Sequence, residues 1–194
     1  IQNAHPEYYD LDGAVYGVYS SAADANSDTN RQTTLTISNG TATTGDLTVG
    51  TYYVKEITAP KGYRLDTEVY QTTVLSNQTS TVTSTENNII PKITMQKVSS
   101  ADSVTGSNSN YSVAGAVYQV YADAACTTLA RAYIVDPTTM RATSTTDAVL
   151  TTVDDGSSNI LYMARDLYYV KETSPSLGFK LDPIVYTVDL SDYT

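Results

Sequence analysis

A few charged side chains sit where strand alternation turns them toward apolar neighbours. In an extended chain, successive side chains point to opposite faces. In Tyr168-Tyr169-Val170-Lys171-Glu172 one face carries Tyr168, Val170 and Glu172, and the other carries Tyr169 and Lys171. Glu56 shares a face with Val54 in the same way. In Ile93-Thr94-Met95-Gln96-Lys97 the face of Ile93 and Met95 also carries Lys97. Between residues 82 and 88, Asn88 lies on the face of Val82. Burial disfavours both ions and can bring a lysine down to about 5–6 and a glutamic acid up to about 8–9. A neutral amine is a nucleophile, and a neutral carboxyl can donate a hydrogen bond to a carbonyl. With an asparagine carboxamide between them, the amine can displace ammonia and leave a Lys–Asn amide. The plain alternative is that Lys97 and Glu172 snorkel at strand ends or form an ordinary ion pair.

Composition narrows the other chemistries. The chain has 194 residues, enough for one large domain or two of about 100 residues each. Eleven basic against 21 acidic residues give a net charge of −10, which argues against nucleic acid or an anionic membrane as a partner. No apolar run approaches the ~18 residues that span a bilayer, so no membrane insertion is expected of this segment. Cys126 is the one cysteine, so no internal disulfide can form, and His5 is the one histidine, which argues against a zinc site. No phosphate-binding glycine loop is present, and no metal or cofactor is expected. An enzyme with turnover is therefore the weakest reading. Ile1 is not a natural start, so the chain reads as an excised segment.

The elements that would position these residues occur twice. Gly13-Ala14-Val15-Tyr16-Gly17-Val18-Tyr19 returns 102 residues later as Gly115-Ala116-Val117-Tyr118-Gln119-Val120-Tyr121. Tyr52-Tyr53-Val54-Lys55-Glu56 returns 116 residues later as Tyr168–Glu172, and Gly62, Leu65, Asp66 and Tyr70 return at that offset as Gly178, Leu181, Asp182 and Tyr186. The second copy therefore carries 14 extra residues, within the stretch 126–160. Runs rich in Val, Ile, Thr and Tyr alternate with Gly, Asn, Asp, Ser and Pro clusters, which predicts an all-β chain. The predicted strands are 13–19, 32–37, 51–57, 68–75 and 79–86, then 92–98, 115–121, 129–134, 147–152, 160–164, 167–173 and 183–190. Two tandem β-sandwiches follow, over residues 1–91 and 92–194.

These blocks resemble a known family. Tyr53-Val54-Lys55-Glu56-Ile57-Thr58-Ala59-Pro60-Lys61-Gly62-Tyr63 resembles the E-box of Gram-positive pilins and surface adhesins, and residues 169–179 are a close variant. The Gly-Ala-Val-Tyr block resembles an early strand of Cna-B-type, prealbumin-like domains. The resemblance implies two reversed-immunoglobulin or transthyretin-like sandwiches. It also implies a lysine on the first strand, an asparagine on the last, and the E-box glutamate as promoter of an isopeptide bond. Carried onto this sequence, Lys97 is the second copy's nucleophile and Glu172 its promoter. In the first copy Glu56 is the promoter and Asn88 the acceptor, with Asn87 as the alternative. Registration puts the first copy's lysine before Ile1 and the second copy's asparagine after Thr194.

The implied function is a structural stalk module of a cell-surface adhesin or pilus, outside the cell and anchored through other regions. Its partners would be neighbouring domains or subunits of the same surface protein. The alternative is a module that binds a host protein or glycan, with the inserted stretch and the 17 tyrosines supplying the face.

Overall fold

The structure is a computed structural model and describes residues 1–192. The chain divides into two compact units, Ile1–Ile89 and Ile90–Thr194. The described residues are nearly all strand and loop, as predicted.

In unit 1 the strands are β1 (Val15–Tyr19), β2 (Thr33–Thr36), β3 (Gly50–Thr58), β4 (Tyr63–Arg64), β5 (Val69–Val74) and β6 (Asn87–Asn88), with helix α1 (Ala22–Ser27) after β1. The main sheet runs β2-β1-β3-β5, all antiparallel, and β4 pairs with β6. Helix α1 was not anticipated, being too short to show a helical period. Its start is set locally: the Ser21 hydroxyl accepts from the Asp24 amide at 3.1 Å. It ends at Asp28 in the left-handed region.

In unit 2 the strands are β7 (Lys92–Ile93), β8 (Val117–Tyr121), β9 (Arg131–Val135), β10 (Ala142–Asp147), β11 (Val149–Thr151), β12 (Leu161–Tyr162), β13 (Leu167–Ser174) and β14 (Val185–Asp189), with helix α2 at Asp102–Thr105. One sheet runs β11-β8-β13-β14 and the other β10-β9-β12-β7. The first repeats the unit 1 order, with β11, β8, β13 and β14 standing for β2, β1, β3 and β5. The extra residues build the β9–β10 hairpin where unit 1 has α1. That stretch is not a surface appendage, since Ala130, Ala132, Ala148 and Leu150 are fully or nearly fully buried in the core.

Each unit has its own apolar cluster. Unit 1 packs Ala14, Tyr16, Val18, Tyr52 and Val54, with Leu35, Ile37, Tyr70 and Val82 against them. Unit 2 centres on Val120, Leu150, Met163, Tyr168 and Val170.

Several predicted strands shrink, and 160–164 is reduced to Leu161–Tyr162. Residues 79–86 form no ladder among the described residues, although Ser80, Val82, Ser84 and Glu86 are half-buried and the intervening residues exposed. Alternation sets which side chains turn inward, but a strand also needs a hydrogen-bonded neighbour. Likewise, of 92–98 only Lys92–Ile93 is strand, followed by a single bridge from Gln96 to Ser157.

Candidate functional site

Both units build the same frame around a buried glutamate. On β3 the alternation Tyr52, Val54, Glu56 is buried throughout, and Glu56 is 1% exposed. On β13, Tyr168, Val170 and Glu172 repeat it, and Glu172 is 0% exposed. A bulge lies beside each glutamate. Tyr16 stands opposite Glu56 and Val15 opposite Thr58; Tyr118 stands opposite Glu172 and Val117 opposite Ser174. The unpaired residue, Ile57 or Thr173, lets the strand turn while the glutamate stays inward.

The loop after each buried glutamate's strand holds one carboxylate oxygen. The Asp66 amide donates to Glu56 Oε2 at 2.6 Å, and the Asp182 amide donates to Glu172 Oε2 at 2.6 Å. Each aspartate is fixed in turn. Tyr70 Oη donates to Asp66 Oδ2 at 2.5 Å, and Tyr186 Oη to Asp182 Oδ2 at 2.6 Å. The loop is also held at its glycine. Gly62 and Gly178 have φ of +85° and +79°, and a Cβ there would lie 2.3 Å from the Tyr8 carbonyl or 2.4 Å from the Asn110 carbonyl. Matching edge-to-face pairs, Tyr9–Tyr63 and Tyr111–Phe179, cover the two turns.

Unit 2 adds a lysine to this frame. Lys97 Nζ lies 2.7 Å from Glu172 Oε1 and 3.2 Å from Tyr118 Oη. Its side chain is 11% exposed, and the Tyr118 and Phe179 rings stand 5.6 and 5.9 Å from the ammonium. Lys97 is fixed through its backbone, where its amide donates to the Gly156 carbonyl at 2.8 Å. Alternation therefore placed Lys97 and Glu172 on inward faces, and the structure brings them together. The ionisation expected from burial differs, however. Burial alone lowers the lysine, but the hydrogen bonds to Glu172 and Tyr118 outweigh it, and the net direction is upward. The two side chains form a salt bridge. A neutral amine arises only by passing one proton across the 2.7 Å hydrogen bond to Glu172, a step that leaves the pair's net charge unchanged.

Unit 1 has the glutamate without a lysine among the described residues at that position. Burial raises Glu56 to about 7, the Asp66 amide opposes the rise, and the Glu86 charge adds to it. Tyr16 Oη, the counterpart of Tyr118 Oη, donates to Glu86 Oε1 at 2.6 Å and contacts Ser84 Oγ at 2.7 Å. Burial and the Glu86 bond hold the Tyr16 phenol well above its ordinary range. Asn88 sits in β6 opposite Tyr63, with Asn87 opposite Arg64. No hydrogen bond among the described residues joins the Asn88 carboxamide to Glu56 or Tyr16. In unit 2, likewise, none joins a carboxamide to Lys97 or Glu172.

Sequence reasoning passed over Glu86, Tyr16, Tyr118, Asp66 and Asp182 as site residues. The signals were present. The two tyrosines recur at the first offset and the two aspartates at the second, and the face assigned to Val82 and Asn88 also carries Ser84 and Glu86.

Comparison with known proteins places this frame. Residues 7–88 match the SpaA family, described as a prealbumin-like fold domain. Among solved structures the chain is similar to the Bacillus anthracis TIE protein, with 21% identity and a TM-score of 0.59 over 93% of this chain. The chain spans 28% of that protein's length. It also aligns with a minor pilin of Streptococcus agalactiae, at 15% identity and a TM-score of 0.32 over 93% of this chain and 78% of that one. A C-terminal fragment of the Lactobacillus rhamnosus pilus adhesin SpaC aligns at 17% identity and a TM-score of 0.39, over 92% of this chain and 73% of the fragment. No curated protein matches the chain. Unit 1 thus has a prealbumin-like fold, and the sheet order repeats it in unit 2.

Proposed function

We propose that the chain is a structural stalk module of a bacterial surface adhesin or pilus, closed by a Lys–Asn isopeptide bond that it forms itself. The observation that carries this reading is the Lys97 ammonium held 2.7 Å from a fully buried Glu172. Glu172 accepts the Lys97 proton, and the amine attacks the side-chain carbonyl carbon of an asparagine on a closing strand. The carboxyl group then hydrogen-bonds the developing oxyanion, delivers its proton to the departing nitrogen and takes the second proton from the attacking amine. The N–C amide bond to lysine forms, the C–NH2 bond breaks, and ammonia leaves. Lys97 is consumed, so the reaction runs once and is not turnover catalysis. In unit 1 the same reading makes Glu56 the promoter and Asn88 the acceptor, with Asn87 as the alternative.

Closing a loop of about 100 residues would constrain the unfolded chain by about 4–5 kcal/mol, by analogy with a disulfide. An amide also resists reductants, which suits a protein with one cysteine working outside the cell. Neighbouring domains or subunits of the same surface protein would be its partners.

The test is the intact mass of the protein carrying the residues that follow Thr194. A mass lower by one ammonia, restored by Lys97→Ala or by Glu172→Ala, is the expected result. A full mass with a candidate asparagine strand present rejects the crosslink.

A second reading has one observation in its favour. The inserted stretch helps line a groove of about 740 Å3 whose polar residues include Thr146, Asp147, Thr151 and Asn159. Such a groove could take a host glycan or protein segment. Removing 126–160 would destroy the core, so the test is a glycan array with Thr146→Ala and Asp147→Ala. Selective binding lost in both variants would favour this reading.

A further inference from the structure

The turn that follows β2 sets up a different asparagine chemistry, one that needs no lysine. Asn39 and Gly40 are the central residues of a hairpin turn, with φ of +52° and +73°. Two backbone bonds close it, from the Ser38 amide to the Thr41 carbonyl at 2.9 Å and from the Thr41 amide to the Ser38 carbonyl at 3.2 Å. Both central residues are exposed, and the Asn39 carboxamide has no hydrogen-bond partner among the described residues. The Gly40 amide donates to Asp12 Oδ1 at 3.2 Å. A Cβ at Gly40 would meet nothing within 4 Å, so the space beside that nitrogen is open.

A backbone amide that follows an asparagine can close a five-membered ring on its carboxamide, because the two groups are held close by the chain itself. A bare following residue, a free carboxamide and a base on the N–H all favour closure, and they coincide at Asn39. Elsewhere one or more is missing. Asn77 is also exposed and left-handed, but Gln78 follows it. The Asn159 carboxamide is bound at both ends, accepting from the Thr151 amide and donating to the Val149 carbonyl. The repeat supplies a further contrast. The Gly13 amide donates to the Ile37 carbonyl, and the Gly115 amide to the Thr152 carbonyl, so the turns that follow Ile37 and Thr152 correspond. The second turn carries Asp155-Gly156, its glycine amide donates to the Val153 carbonyl, and Ala114 stands in the place of Asp12.

We propose that Asn39 is a self-modification site, at which the Gly40 nitrogen closes on the Asn39 side-chain carbonyl while Asp12 takes the amide proton. The N–Cγ bond forms, the Cγ–Nδ2 bond breaks, and ammonia leaves with the proton that Asp12 received. Water then opens the cyclic imide at either carbonyl, giving aspartate by one route and isoaspartate by the other. Closure requires Asn39 to swing out of the turn, and a turn held by two bonds opens locally at small cost. The aspartate product is the Asp-Gly pair that unit 2 already folds around. Isoaspartate adds a methylene to the main chain and changes the spacing on which the Ser38–Thr41 bonds depend. Both products place a new negative charge beside Asp12.

The test is incubation of the 194-residue chain at neutral pH in water enriched in oxygen-18, followed by peptide mapping with a fragmentation method that separates aspartate from isoaspartate. Oxygen-18 is expected at residue 39 in both product forms, with Asn77 unchanged over the same interval. Asp12→Asn should slow the reaction about tenfold or more. Aspartate as the sole product would mean direct hydrolysis and would overturn ring closure. An unmodified Asn39, or Asn77 modified at the same rate, would overturn the site. An unchanged or faster rate in Asp12→Asn would overturn the role of Asp12 as base. The Lys97 crosslink loses ammonia, whereas this reaction exchanges ammonia for water within a different peptide, so each stands or falls on its own.

Discussion

Lys97 keeps its proton because Glu172 sits within hydrogen-bond distance and both are shielded from water. Removing one member of such a pair leaves the other buried and unpaired. Lys97→Met should therefore destabilise unit 2 by about 3–5 kcal/mol. Urea denaturation checks this, and Lys97→Met combined with Glu172→Leu should recover most of the stability. Glu56 gives the opposite sign of pH dependence from a paired carboxylate. Its pKa is raised from 4.5 to about 7 in the folded chain, so the native state binds its proton more tightly. The stability it supports is full below about 4.5 and declines as pH rises toward 7, by up to about 3 kcal/mol. Glu56→Gln should flatten that decline in a pH series of denaturation curves. These inward faces were legible from alternation alone. The protonation of Lys97 was not, because it depends on Tyr118 and Glu172, which only the tertiary structure brings to it.

At the scale of elements, the site depends on a bulge and a glycine turn that recur in both units. Gly62→Ala and Gly178→Ala each force a left-handed residue against a neighbouring carbonyl. Each should cost at least about 2 kcal/mol and displace the Asp66 or Asp182 amide from its glutamate. Calorimetry measures the first effect, and the glutamate carboxyl resonance reports the second. The paired glycines, tyrosines and aspartates are visible in the repeat offsets of the sequence. The offsets do not expose the bulges, because Ile57 and Thr173 read as ordinary strand residues. Glu86 was passed over for a different reason. The face from Val82 to Asn88 was read for a carboxamide at its end, and the carboxylate two residues earlier has the same orientation. The β9–β10 hairpin was half visible. Residues 142–147 are Thr- and Ser-rich and largely exposed, so they lack the buried face that marks a strand.

For the whole molecule, one sheet order is used twice, and each copy buries a glutamate at the same place in it, Glu56 on β3 and Glu172 on β13. The repeat was readable from 102- and 116-residue offsets. The most direct measurement is the intact mass of the protein extended past Thr194, compared with its Lys97→Ala and Glu172→Ala variants. A deficit of one ammonia that disappears in both variants is the predicted result. A full mass in the unsubstituted protein, with an asparagine-bearing closing strand in place, would contradict the account.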